Sequence, residues 1–437
     1  MAKIVNIGGG SIGFAPKLIG DILTNPALVK SHLVLMDIKQ ENIDVTLKYA
    51  KKLAAQVGSP VTVEATTDLN AALDNADFVY DTVLRQGDAR VTEEKISLKH
   101  GVWIFSGCTT GPAGVFRALR EIPATLEVLR KMEKLCPNAY YFHYANPTNT
   151  VSLGLNIASS IKSVGLCHSV EGTVRTMAHL LGIPFEETAH WAAGINHQAW
   201  ILRFEKDGKD LYPQFRELKK NKEKYERDKV RFDMMEFFGY FPTESSLHNS
   251  EYVPYFRKNL EMIKTFTPAK PNHALNASFG IDHVLEAQGK TEKRAELLEL
   301  INSDNPIQLQ THAEYCIRAI AAMVSGQTFC FNGNVLNKGL ITNLPPDICV
   351  EVPIMTDRTG LHPCYVGKLP DQCAALNASR SAGDLLAVKG ALEGDKKAVE
   401  QAVALDPLTG ALLTLDQIRA LVAELFEVNR DYLPQFK

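Results

Sequence analysis

The stretch Lys3-Ile4-Val5-Asn6-Ile7 runs directly into Gly8-Gly9-Gly10-Ser11-Ile12-Gly13, an amphipathic segment follows, and Leu33-Val34-Leu35-Met36-Asp37 closes the unit. The order is strand, glycine turn, helix, strand, acid. Gly8, Gly10 and Gly13 fit a spacing in which the first glycine makes the tight turn, the second admits a pyrophosphate against the backbone, and the third packs helix on strand. The pyrophosphate would rest on free N–H groups at the positive end of the helix dipole. Asp37, 24 residues beyond Gly13, is placed to accept hydrogen bonds from an adenine ribose 2′-OH, and its charge repels a 2′-phosphate, favouring NAD over NADP. Gly8, Gly9, Gly10, Ser11, Ile12, Gly13 and Asp37 are therefore the candidate cofactor residues. A glycine turn alone also serves plain bends; its place between strand and helix, with the acid at the right distance, carries the reading.

Working outward, the strand–helix rhythm continues. Apolar periodicity predicts a helix over 42–56, a strand over 61–65, a short helix over 69–74, a strand over 78–83, a long helix over 116–135, and strands over 140–144 and 164–167. Such alternation implies a doubly wound parallel sheet covered on both faces, a Rossmann-like α/β domain of the lactate/malate-dehydrogenase kind, spanning 1–169. Ligands of such sheets bind beyond the carboxyl ends of the strands, where Asn146 and Cys167 fall. From 170 to 437 the pattern is α+β: strand character over 188–204, a hairpin turn at Asp207-Gly208, a charge-rich helix over 218–232, a polar helix over 286–299, apolar-faced helices over 311–325 and 376–403, and a closing helix over 418–429. This second domain is expected to roof the cofactor and carry substrate and subunit contacts.

Composition narrows the function classes. The chain has 437 residues, 45% hydrophobic and 22% charged, which suits two packed globular domains. A net charge of −3 gives no electrostatic case for nucleic acid or an anionic membrane, so small molecules are the expected partners. No leader or membrane-spanning apolar run is read, and the expected location is cytoplasmic. The eight cysteines form no C-x-x-C pair and no dense framework, which suits a reducing compartment.

Two clusters promise chemistry: Gly165-Leu166-Cys167-His168-Ser169-Val170-Glu171-Gly172 and Ala193-Gly194-Ile195-Asn196-His197-Gln198-Ala199-Trp200. A thiolate and an imidazole can hold a divalent transition ion with positions left open for substrate oxygens. Spacing alone leaves the alternatives standing, since cysteine is commonly a small buried hydrophobe and a lone histidine commonly a satisfied hydrogen-bonding residue.

Together with Asn146-Pro147-Thr148-Asn149, Asn337-Lys338-Gly339-Leu340, Val350-Glu351-Val352-Pro353 and Phe241-Pro242-Thr243-Glu244-Ser245-Ser246, these motifs resemble family 4 of the glycoside hydrolases, the group that requires NAD and a divalent metal, usually manganese. The wording of the Cys167 and His197 clusters looks most like its melibiase-type α-galactosidases. The resemblance implies a mechanism outside the usual two-carboxylate scheme. The sugar would be oxidised transiently at carbon 3, deprotonated at carbon 2, lose its aglycone by elimination, add water and be reduced again. Cys167 and His197 match the family's metal ligands and Asn146 a residue that binds sugar hydroxyls. His168 stands where phosphosugar members carry an acid that protonates the leaving group. Tyr252 is the counterpart of their base and would need a neighbouring cation, given an ordinary pKa of about 10; Glu244 and Ser245 are rivals for that role. Arg85 is a candidate for a polar or anionic sugar substituent. A homodimer or homotetramer is implied as well.

One departure stands out: Gly107-Cys108-Thr109-Thr110 replaces an expected Gly-Asp-Thr, so that Cys108 takes the place of an acid. Alternatives to an α-galactosidase are an α-galacturonidase, α-glucuronidase or α-glucosidase with the same mechanism, an NAD-dependent 2-hydroxy-acid dehydrogenase on the same fold plan, and an NAD-sensing module without turnover.

Overall fold

The computed structural model describes all residues except 84, 86–88, 105–108, 268–280 and 310–313, and the backbone alone over 281–290. Cys108 lies outside the described residues. The Rossmann unit forms as read: β1 (Lys3–Ile7), β2 (His32–Met36), β3 (Thr62–Thr66), β4 (Phe78–Asp81), β5 (Tyr140–His143) and β6 (Lys162–Gly165). They run parallel in the order β3-β2-β1-β4-β5-β6. Side chains alternate between two cores: Ile4, Leu33 and Leu35 enter one, while Val5, Ile7, Val34 and Met36 enter the other. Burial on both faces is why these strands read as continuous apolar runs.

The C-terminal α+β half extends the same sheet. β7 (Ala189–Ile195), β8 (Gln198–Lys206), β9 (Lys209–Asp210), β10 (Phe241–Pro242), β11 (Phe329–Leu336), β12 (Cys349–Asp357) and β13 (Gly360–Pro363) join it antiparallel. Among the described residues the central path reads β10-β8-β7-β12-β11-β6, continuing into the parallel half. Where the halves meet, Gly165, Asn334, Glu351 and Gly194 fall in one register row across β6, β11, β12 and β7.

Two long helices expected from the sequence are broken. The segment 218–232 becomes a 3-10 turn Leu218–Lys220 and the helices Lys222–Arg227 and Lys229–Phe238. Asn221 caps the second piece by accepting from Lys224 N at 3.1 Å, and the Asp228 carboxylate turns to Arg231 and Ser246 instead of sustaining the helix. Val230 and Phe232 of the last piece are buried. The segment 376–403 becomes Asp371–Ser381, Asp384–Glu393 and Lys396–Ala404. Gly394 leaves the middle piece in the left-handed region, and Asp395 caps the next. Among the described residues no helix is long and apolar enough to cross a membrane.

Candidate active site

The glycine loop is shaped by crowding. A Cβ at Gly8 (φ +83°) would lie 2.8 Å from Thr82 Oγ1, at Gly9 3.0 Å from Leu35 Cα, and at Gly10 2.5 Å from Asn42 Cβ. Gly8 and Gly9 donate to Met36 O at 2.9 Å. Asp37, following β2, accepts from Gly10 N at 3.2 Å and from Lys39 N at 3.1 Å. The turn is thus pinned to Asp37, leaving a backbone cradle that only glycines fit, which suits a dinucleotide. Gly13 departs from its expected packing role: nothing lies within 4 Å of its Cβ position, and Gly9 is the glycine pressed on the second strand.

Beside the loop opens a cavity of 310 Å³ lined by Ser11, Phe14, Thr82, Asn146, Cys167 and His168 among others. Cys167 follows β6 by two residues, and His197 sits in the two-residue turn between β7 and β8 at φ +62°. The row Gly165-Asn334-Glu351-Gly194 brings these segments together, so that Cys167 Sγ lies 3.1 Å from His197 Nε2. At ligand bonds of about 2.0–2.3 Å the two atoms are close enough to share one ion. Burial pushes the His197 imidazole below its ordinary value, so it stays neutral, as a ligand must. Tyr252 donates to Thr109 Oγ1 at 2.7 Å and stands 3.3 Å from His197 Nδ1. That arrangement assigns the proton of the neutral ring to Nδ1, leaving the Nε2 lone pair towards Cys167. The donor set fits a divalent transition ion with further positions open.

The comparisons with known proteins give the family. Residues 3–183 match the model of the family 4 glycosyl hydrolases, and residues 192–409 that of the family 4 glycosyl hydrolase C-terminal domain. The chain belongs to glycosyl hydrolase family 4. It is 36% identical over 442 residues to an α-galactosidase of Bacillus subtilis, covering 100% of both chains. It is 31% identical over 456 residues to a probable 6-phospho-β-glucosidase of the same organism, covering 99% of this chain and 98% of the other. Among solved structures, a 6-phospho-α-glucosidase from gut microorganisms in complex with NAD and Mn2+ shares the fold at a TM-score of 0.83 and 23% identity, with 100% of each chain covered.

The remaining candidates of this family 4 chain divide. Asn146 lines the cavity, accepting from Thr148 Oγ1 at 2.9 Å. His168 lines it too, its Nε2 2.7 Å from Glu314 Oε2. The hydrogen bond to Glu314 holds its pKa above the ordinary histidine value. Glu244, with φ +79°, binds His248 Nδ1 at 2.9 Å, and the His248 ring stands edge-on to His197 with centroids 5.0 Å apart. Burial opposes ionisation of Glu244, yet the hydrogen bond and charge of His248 hold its carboxyl well below the ordinary range. Ser245 is engaged as a helix cap, its Oγ accepting from His248 N at 3.3 Å. Arg85 is not among the described residues that line the cavity: its side chain pairs with Asp81 at 2.5 Å, and its backbone N–H donates to Glu121 at 3.0 Å.

Three residues at the site were not singled out from the sequence. Glu314 is the partner of His168. Arg380 places its guanidinium 5.0 Å from the centre of the Tyr252 ring, supplying the neighbouring cation that a tyrosine base needs. Glu351 is fully buried on β12, and burial, then the charge of Cys167, push its carboxyl well above the ordinary range, with the Asn196 amide facing it. A carboxylate within the apolar run of Val350, Val352 and Ile354 is the one signal that could have exposed it. Arg380 and Glu314 sit in helical and pre-helical sequence with no local mark.

Proposed function

We propose that the protein is an α-galactosidase that uses NAD and a divalent ion such as Mn2+ through transient oxidation at carbon 3 of the sugar. The observation that carries the reading is the Cys167–His197 pair, 3.1 Å apart, with Cys167 on the wall of the cavity beside the glycine loop. The α-galactosidase relative at 36% identity favours the galactoside over the other sugars of the family. When bound, NAD would take up and return a hydride, and the ion held by Cys167 and His197 would act as a Lewis acid stabilising charge that develops on the sugar.

The chain's own residues supply the rest. The Gly8–Gly10 backbone and Asp37 hold the cofactor; Cys167 and His197 hold the ion; Asn146 orients a sugar hydroxyl. Tyr252, between Thr109, His197 and Arg380, takes the proton from carbon 2. His168 gives a proton to the departing oxygen. In this reading residues 1–169 carry the cofactor, residues 170–437 complete the sugar side and the subunit contacts, and the enzyme works in the cytoplasm as a homo-oligomer.

The test uses metal-stripped, reduced protein with 4-nitrophenyl α-galactoside, varying NAD and Mn2+ independently while following nitrophenol and NADH. Nitrophenol release only with both, and no accumulation of NADH, is expected. Release from a glucuronide, galacturonide or glucoside alone would move the substrate, and steady NADH growth on a hydroxy acid would replace the reading with a dehydrogenase.

A further inference from the structure

Glu314 and His168 are 146 residues apart in sequence, yet they form one clamped unit. The carboxylate takes Nε2 of His168 at 2.7 Å. The imidazole stacks with two tyrosine rings, Tyr144 at 5.8 Å and 15° and Tyr315 at 5.7 Å and 30°. Tyr144 is braced in turn by Phe14, edge-on at 5.2 Å, and its hydroxyl points to Glu314 Oε2 at 3.4 Å. Glu314 is itself anchored, since its backbone N–H donates at 3.0 Å to Asp21 of the helix Ala15–Thr24 that leaves the glycine loop. More than half of the His168 side chain remains exposed, and among the described residues its Nδ1 has no hydrogen-bond partner.

We propose that Glu314 is a positioning residue for aglycone departure: it holds Nε2–H of the protonated His168 ring and so fixes its orientation, leaving Nδ1–H, and not Nε2–H, to meet the glycosidic oxygen. The inference rests on the glycosidase reading above, with His168 on the aglycone side. In the step concerned, the bond from carbon 1 to the glycosidic oxygen breaks and its electron pair goes to that oxygen. The oxygen takes the proton from Nδ1 of the doubly protonated ring, which is left neutral, and the pair left at carbon 2 by deprotonation forms the new carbon 1–carbon 2 double bond. Nε2–H stays on Glu314 throughout, so the ring need not turn. An imidazole held only by stacking could rotate or flip, and proton transfer depends on reach of about 2.6–3.2 Å.

The experiment compares wild type, Glu314→Ala and Glu314→Gln, each as full chain with NAD and Mn2+, on two substrates. The nitrophenyl galactoside releases an oxygen that needs little protonation; methyl α-galactoside releases one that needs it. Expected for Glu314→Ala is a kcat/KM loss on the order of 100-fold on the methyl glycoside and under about 5-fold on the nitrophenyl glycoside. Glu314→Gln, which keeps an acceptor, is expected to restore the methyl glycoside to within about 5-fold. NAD and Mn2+ dissociation constants should stay within about 3-fold in both variants, and imidazole nitrogen NMR should show one His168 tautomer in wild type and Glu314→Gln but a mixture in Glu314→Ala. Equal loss on both substrates, no loss, or a glutamine variant as impaired as alanine overturns the proposal. Wild type inactive on every glycoside sinks the underlying reading instead, and the NMR comparison still decides the clamp.

Discussion

The glycine loop and the Cys167–His197 pair stand side by side in this family 4 fold and are built by opposite means. The loop is local: Gly8, Gly9 and Gly10 follow one strand and are pressed by Leu35, Asn42 and Thr82, so backbone crowding specifies it. The pair is assembled from two β-turn and strand-end segments, joined through β11 and β12, and consists of side chains alone. Crowded backbone tolerates no added atom, whereas a side-chain pair tolerates no removed one. Single substitutions should therefore separate the two functions. Cys167→Ala is expected to weaken Mn2+ binding by about 100-fold or more, since loss of even an outer partner of a metal ligand costs roughly 10–100-fold. NAD binding should hold within about 3-fold. Calorimetry with each ligand on the same preparation checks this, and a parallel loss of NAD affinity would mean the two regions are one cooperative unit.

Two histidines at the ends of neighbouring strands sharpen the contrast. His143 closes β5 and is fully buried, its Nε2 3.1 Å from Ser152 Oγ, and burial pushes it down to about 4. His168, just after β6, is shifted up by Glu314. For His143 the folded value lies below the ordinary value of about 6.5, so the unfolded chain binds the proton first. Its stabilising effect is complete above about pH 6.5 and is lost as pH falls through the window down to 4, a total of about 3 kcal/mol. Denaturant unfolding of wild type against His143→Gln between pH 7 and 4 reads the difference in slope. If the variant keeps the full wild-type slope, the acid sensitivity lies elsewhere. His168, more than half exposed, should give a much smaller dependence of the opposite sign.

Gly10→Ala comes next in size. The new methyl would meet Asn42 Cβ at 2.5 Å and Asp37 Oδ2 at 2.8 Å, so the loop or the acid must shift. Overpacking of this kind costs about 1–3 kcal/mol, and NAD affinity should fall about 10- to 100-fold while Mn2+ binding is unchanged. An NAD titration followed by protein fluorescence measures it; unaltered affinity would show that the loop yields freely.

How far the sequence reveals each region follows from the same contrast. The parallel half was legible because strand, turn and helix signals are short-range, and the Rossmann sheet forms where the apolar runs place it. The breaks at Asn221, Asp228 and Gly394 were not weighed against helical periodicity, although each is a cap or left-handed residue. At the site, Cys167, His197, Asn146 and Tyr252 were found through motif wording, whereas Glu314 and Arg380 act across 146 and 128 residues and leave no local trace. The Asn337-Lys338-Gly339-Leu340 motif shows that wording can also mark structure: Asn337 Nδ2 donates to Ile341, Leu344 and Pro345 carbonyls and staples a loop.

The smallest expected effect is the most discriminating about the loop. Spacing gives Gly13 the same standing as Gly10, because both belong to one glycine pattern. The structure separates them: a Cβ at Gly13 meets nothing within 4 Å, and its backbone is not in the region that excludes other residues. Gly13→Ala should therefore leave NAD affinity within about 2-fold and is not expected to lower stability, since replacing glycine where the conformation suits alanine stabilises by about 0.4–1 kcal/mol. Titrating NAD into Gly13→Ala and Gly10→Ala side by side tests whether crowding or pattern governs. Equal losses would show that bound NAD closes on Gly13 as tightly as on Gly10, and the cradle would then extend one helical turn beyond the residues that the protein alone packs shut.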